Sequence, residues 1–347
     1  MKSKLLSLLA AAAFCAPFAA QEIDVYVSVK WVLNSAGNRP LGLWDNEAAV
    51  QSAIEQTNQY AERMGRGYRY VVIEMENVSH APTSSWQYFD LYFDEFKLLE
   101  STAKANAAAY FWRTNAVNIY IVNSCDNSGG LAAIPSASSC SGSQEEIVVF
   151  KVGMTPELLW PHELGHHFSM IHTFDDDGCA DTKFDPELSC VADFSCTTGG
   201  NLECCCSTKL TLLNAQNYSA TDKNNLLYNV MSYYGANDCV GPIQPPHDWS
   251  SILMTSDQLD RWSDATRKYC QLNGEVSGYT YFVDKTFGGT STGYSTSPYK
   301  TVQSGYQVAS ASPGNILNLR PGNYAETLTF TAPVTLRASR GNATIGQ

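Results

Sequence analysis

The stretch His162-Glu163-Leu164-Gly165-His166-His167-Phe168-Ser169-Met170-Ile171-His172 decides how the rest of this chain is read. Histidines at i and i+4 sit one above the other on a helix face, so His162 and His166 can aim ring nitrogens at one point. Glu163, next to the first of them, can face a water held at that point. His172 follows His166 by six residues, and joins the set only if the chain leaves the helix and turns back. Three nitrogen ligands, one open position and a nearby carboxylate make the layout of a catalytic rather than a structural zinc site. The H-E-x-x-H core alone is a weak signal; the third histidine sharpens it.

These residues resemble the metzincin signature H-E-x-x-H-x-x-G-x-x-H, and Asn229-Val230-Met231-Ser232-Tyr233 resembles the Met-turn of the same clan. Within the clan the chain is most similar to the pappalysin type. That likeness rests on His172-Thr173-Phe174 followed by Cys179, on the run from Gly130 to Pro135 ahead of Glu146-Ile147-Val148-Val149-Phe150, and on the N-V-M-S-Y turn. It covers roughly residues 22–270. The resemblance implies an α+β, metzincin-like catalytic domain: a mixed twisted sheet with helices, a zinc helix, a Met-turn and a closing helix. It also implies that Met231 forms the floor under the metal and that Tyr233 donates to an oxyanion, with Tyr234 as the competing candidate. Ser169 stands where the family pattern has glycine. The chain must reverse there, which calls for a left-handed conformation that costs serine about 1–2 kcal/mol.

Toward the N-terminus, residues 1–20 read as a secretory signal: Lys2 and Lys4, then an apolar run from Leu5 to Ala13, then small residues up to Ala20. A secreted protein is expected. The chain has 11 cysteines, and removing Cys15 with the signal leaves an even ten, as a fully paired set in an oxidising compartment requires. Losing Lys2 and Lys4 takes the formal charge from −12 to −14, which argues against nucleic acid and anionic membranes as partners. No later segment approaches the ~20 apolar residues of a membrane span.

The catalytic domain is expected over residues 21–272. Ile23, Val25, Val27 and Val29 alternate as a strand does, a helix starts at or near Asn46, and Tyr68 to Met75 forms a second strand. A helix over residues 94–107 and a buried strand over residues 117–122 follow, which together predict a mixed sheet with helices packed on it. Residues 129–135 offer a small-residue strand that Pro135 confines to a sheet edge; by the resemblance, this edge pairs with an extended substrate. Pro161 implies a break before His162 or a helix that starts at the proline.

Beyond His172, Cys179, Cys190, Cys196 and Cys204-Cys205-Cys206 lie in a stretch with little periodicity that needs cross-links to stay ordered. By the resemblance, Cys179 bridges to the region before the Met-turn, and Cys239 reaches back to the same loop. Asp175, Asp176, Asp177 and Asp181 admit a calcium reading, though they lack EF-hand spacing and a solvated acidic loop is favoured. His167 points about 100° away from His166 around the helix, toward a neighbour or solvent. Residues 255–269 read as the closing helix.

Residues 273–278 are polar and contain glycine, as a linker does. Residues 279–347 then read as short strands between turns, at Phe282 to Asp284, Pro298 to Val302, Ile316 to Leu319, Pro321 to Tyr324, Thr327 to Phe330 and Pro333 to Leu336. They resemble the opening coils of a pectate-lyase-like parallel β-helix, a fold that needs stacked neighbours, so this tail is expected to dock on the catalytic domain or on a partner.

The function implied is that of a secreted zinc endopeptidase acting on a protein or peptide substrate, with zinc on His162, His166 and His172 and Glu163 as general base and acid. Two rivals are a carbohydrate-binding or polysaccharide-degrading protein acting through the tail, and a pseudo-protease whose zinc is structural.

Overall fold

Alternating apolar residues, followed by a run buried on both faces, place one strand at the centre of the protein. In the computed structural model this is β1 (Ile23–Val32), in which every residue from Val27 on is buried. The structure describes residues 22–42, 44–63, 68–79, 86, 90–91, 95–124, 130–132, 134–135, 147–152, 159–186, 212–227, 229–232, 254–269, 272 and 274–346. Strand β1 pairs in parallel with β2 (Tyr68–Val78) on one side and with β4 (Val117–Ser124) on the other. Next come β6 (Ile147–Val152), parallel to β4, and β5 (Gly130–Ala132), antiparallel to β6. The order is thus β2-β1-β4-β6-β5, with β3 (Asp90–Leu91) paired to the end of β4. This is the expected mixed sheet of a metzincin-like α+β domain.

Helices cover both faces, as a largely parallel sheet requires. On one face Val25, Val27, Val29 and Trp31 pack with Ile54, Leu164, Phe168, Met231, Leu259 and Trp262. These partners come from α1 (Glu47–Arg63), α4 (Leu159–His167), α6 (Ser256–Lys268) and the turns beside them. On the other face Val32, Tyr120, Val122 and Val149 meet Trp86, Leu99 and Ala103, the last two from α2 (Phe96–Ala105). Helix α1 begins where expected, because the Asn46 side chain accepts from Ala49 N at 3.0 Å. The helix expected over residues 94–107 divides into α2 and a short α3 (Ala107–Tyr110), which ends at Phe111 with φ 50°. Lys30 also faces inward. It is fully buried, its Nζ donates to Asn118 Oδ1 at 2.7 Å, and burial brings its pKa down to about 7 against the opposing pull of Glu74.

The closing helix α6 carries a capping box, with Gln258 N donating to Thr255 Oγ1 and the Gln258 side chain accepting from Thr255 N. Between α4 and α6 runs α5 (Ala220–Leu227). In α6, Trp262 stacks on Tyr68 at 4.7 Å between ring centroids.

The expected linker over residues 273–278 is instead built into the fold. Tyr26 N donates to Glu275 O at 2.8 Å and Ser277 N to Asp24 O at 2.9 Å, so this segment pairs with the part of β1 that β4 leaves free. Glu275 and Val276 are buried. A polar, glycine-containing stretch and an irregular pairing segment share one composition, and only the exposed donors of β1 decide between them.

Beyond it, β7 (Thr280–Val283), β8 (Ile316–Leu319) and β10 (Thr335–Arg337) stack in parallel, and β9 (Gly322–Tyr324) pairs in parallel with β11 (Ala343–Ile345). Two of the expected strands do not form as such. Pro298 to Val302 contributes one parallel bridge, Tyr299 to Val283, before Thr301 caps the amide of Ser304 and α7 (Val302–Ala309) begins, and Thr327 to Phe330 carry no strand pairing. The tail rests on α6. Arg320 reaches Asp260 at 2.8 Å, Arg340 bridges Asp257 and Asp260, and Ser295 Oγ donates to Asp264 at 2.6 Å. Arg267 of α6 lies over the rings of Tyr281 and Tyr294 and donates to Gly293 O at 2.8 Å. Among the described residues no helix is long and apolar enough to cross a membrane. Residues 1–20 lie outside them.

Candidate active site

Helix α4 holds Pro161 in its first turn, where the missing N–H breaks no intrahelical bond. His162 and His166 then fall one turn apart on the same face. Between them Gly165 is required by packing, since a methyl there would lie 2.6 Å from Sδ of Met231. The Met-turn therefore presses directly against the metal-site helix, where the resemblance put it.

The helix ends in a Schellman turn. Met170 N donates to Gly165 O and Ser169 N to His166 O, each at 2.9 Å, which puts Ser169 at the left-handed position with φ 70°. Its hydroxyl lies 3.1 Å from the Tyr269 hydroxyl, a buried contact that glycine could not make. The reversal returns the chain so that His172 meets the first two histidines.

Each ligand candidate is held at its rear nitrogen by a group that can only accept. His162 Nδ1–H donates to Val230 O at 2.7 Å, His166 Nδ1–H to Met170 O at 2.8 Å, and His172 Nδ1–H to Asp175 Oδ2 at 3.0 Å. The proton of each neutral ring is therefore on Nδ1, and each Nε2 is a bare lone pair. Those three Nε2 atoms converge, at 3.2 Å (His162 to His172), 3.1 Å (His162 to His166) and 3.0 Å (His166 to His172). Three lone pairs at such range repel one another unless a cation lies among them. Tetrahedral zinc with Zn–N near 2.1 Å sets its nitrogens about 3.4 Å apart, so the triangle fits zinc with little adjustment. The metal-competent group among the described residues consists of these three side chains.

Burial keeps the rings neutral. It is the first cause that holds His162 well below the usual histidine range, followed by the neighbouring His166 and His172. Burial, then His172, brings His166 down to about 4. His172 is also lowered by burial, against the opposing effect of Asp175. Neutral imidazole is the form that binds metal.

Glu163 is buried at 6 % exposure, with its side chain against the edge strand: a methyl built on Gly130 would lie 2.8 Å from its Cγ and 2.9 Å from Oε1. His167 finds a neighbour rather than solvent, its Nε2 lying 2.8 Å from Glu275 Oε2 with both groups buried. Tyr233 and Tyr234 lie outside the described residues, as do all the cysteines named above except Cys179. Cys179 carries a free thiol, not the bridge that the resemblance implied.

The acidic loop is spent on the protein itself. Asp175 takes His172, Asp177 accepts from Gln258 Nε2 and Cys179 N, and Asp181 accepts from Asp257 N. The calcium reading has no support in this arrangement. Sequence reasoning missed Asp175 as the orienting group of His172, although its place three residues after a ligand histidine was a usable signal. The carbonyls of Val230 and Met170 carry no side-chain signal at all.

The family model for pregnancy-associated plasma protein-A, peptidase M43, matches residues 101–236, a stretch that holds all three histidines and Met231. The chain resembles the pappalysin-type zinc metallopeptidases. Among solved structures, mature mirolysin of Tannerella forsythia overlaps 48% of this chain and 71% of its own at 18% identity and a TM-score of 0.33. Metalloproteinase-II of Bacteroides fragilis overlaps 45% of each chain at 12% identity and a TM-score of 0.27. A chain from a chaperone–substrate complex overlaps 44% of this one at 13% identity and a TM-score of 0.31, and the overlap spans only 24% of that chain. A comparison with curated proteins finds no match. The pappalysin-type match ends before α6, and the pectate-lyase likeness of the tail finds no support.

Proposed function

We propose that this chain is a secreted zinc-dependent endopeptidase in which Glu163 moves the proton of the attacking water. The observation that carries this reading is the convergence of three proton-free Nε2 atoms, two of them on the helix that also bears Glu163. His162, His166 and His172 would hold the metal, and the Met-turn carbonyl, the Schellman turn and Asp175 fix their orientation. Zinc bound there would supply a Lewis acid for the scissile carbonyl and would acidify water. Glu163 accepts the proton of that water as it attacks and returns it to the leaving amine. By the resemblance Tyr233 donates to the developing oxyanion. Strand β5, at the sheet edge beside Glu163, is where an extended peptide adds to the sheet. Residues 1–20 direct export.

Glu163→Gln tests the reading against a pseudo-protease. The amide has nearly the same shape and is not a ligand, so zinc content should hold at one per chain while peptide hydrolysis falls by about 10²–10⁴-fold. Hydrolysis at the wild-type rate would refute Glu163 as the proton carrier.

A further inference from the structure

The edge strand and the metal-site helix meet at one point, where Gly130 of β5 faces Glu163 of α4. The three heavy atoms nearest to a methyl built on Gly130 are Cγ, Oε1 and Cδ of Glu163, at 2.8, 2.9 and 3.0 Å. Real Cβ contacts essentially never fall below 3.0 Å, so no side chain fits while Glu163 keeps its place. Gly130 is not among the residues with positive φ, and its backbone is held in the antiparallel pairing with Phe150. Backbone conformation thus does not call for glycine here; the approach of Glu163 does.

We propose that Gly130 is a positioning residue for Glu163: its bare Cα is the wall against which the Glu163 side chain is seated. The proposal rests on the reading of Glu163 as the proton carrier. The ligand histidines are fixed from Val230, Met170 and Asp175, none of them on β5, so a group added at residue 130 displaces the carboxylate without touching the metal. Misplacing a reacting group by about 1 Å can cost about 10²-fold in rate.

Gly130→Ala is therefore expected to lower kcat by about 10–100-fold, with KM changed less than about threefold and zinc content unchanged. A defect in substrate pairing along β5 would raise KM instead. A second readout is independent of activity. In the wild-type background Gly130→Ala should lower the unfolding midpoint. In a Glu163→Ala background, where the obstructing side chain is gone, the same change should be neutral or stabilising, because alanine loses less backbone freedom than glycine on folding. That reversal of sign measures the contact itself. Wild-type kcat in Gly130→Ala, or the same stability change in both backgrounds, overturns the proposal while leaving Glu163 as the proton carrier. Wild-type hydrolysis by Glu163→Gln removes the function reading on which it rests, whatever Gly130→Ala does.

Discussion

Residues 159–172 and residues 279–346 are held in place by opposite means. In the first stretch three rings are each fixed at a single atom, by Val230 of the Met-turn and by Met170 and Asp175 just after the helix. In the tail no single contact is decisive, since parallel strands stack on one another and several ion pairs spread over α6. A point-fixed site fails when one partner is removed, whereas a stacked one loses stability in small steps. The segment from Leu272 to Ser277 joins the two, because it pairs with β1 through its backbone and reaches the metal-site helix through Glu275.

That joint gives the largest expected effect. Glu275→Ala leaves His167 buried without its carboxylate and should cost about 3 kcal/mol of stability, read from the midpoint of denaturant unfolding. A loss below about 1 kcal/mol would mean that the two regions are joined by backbone pairing alone. For the same reason truncation before Glu275 should abolish soluble catalytic protein, although zinc helix, Met-turn and α6 all precede it.

Within the point-fixed site, Asp175→Ala removes the acceptor of His172 Nδ1 and should weaken zinc binding about 10–100-fold, measured by competition with a chelator. Unchanged affinity would show that the turn alone orients the ring.

In the tail, Arg340→Ala should cost no more than about 1 kcal/mol, because Arg340 is partly exposed and Arg320 still faces Asp260. The loss should shrink as salt is raised, and hydrolysis should not change. A large loss, or one indifferent to salt, would make the tail point-fixed as well.

The smallest effect is expected at Ser169. Glycine there relieves left-handed strain of about 1 kcal/mol and gives up a hydrogen bond to Tyr269 of about the same worth, so the net change should stay within about 1 kcal/mol. Ser169→Ala keeps the strain and loses the bond, and should melt lower than Ser169→Gly. The reverse order would show that the left-handed position carries no strain.

The legible parts of the sequence follow the same division. His162, Glu163, His166 and His172 could be placed together because helical spacing fixes the first three, and the left-handed Ser169 follows from the need to reverse before His172. The alternation in β1 and the helical spacing of α6 were readable because their signals are local. Asp175 was hidden by its acidic neighbours, which made one orienting carboxylate look like part of a solvated acidic loop. Gly130 and Glu275 act on residues 33 and 108 positions away, and composition carries no mark of such a distance. In the tail the strand expected at Pro298 to Val302 runs into α7, and the Thr301 cap was the local signal that marks where the helix starts.

The central claim is that His162, His166 and His172 bind one zinc through Nε2, and X-ray absorption at the zinc edge on the purified full chain tests it most directly. The expected result is one zinc per chain with three histidine nitrogens at about 2.0–2.1 Å and no sulfur in the coordination sphere. A chain without zinc, or a spectrum dominated by thiolate at about 2.3 Å, would contradict it.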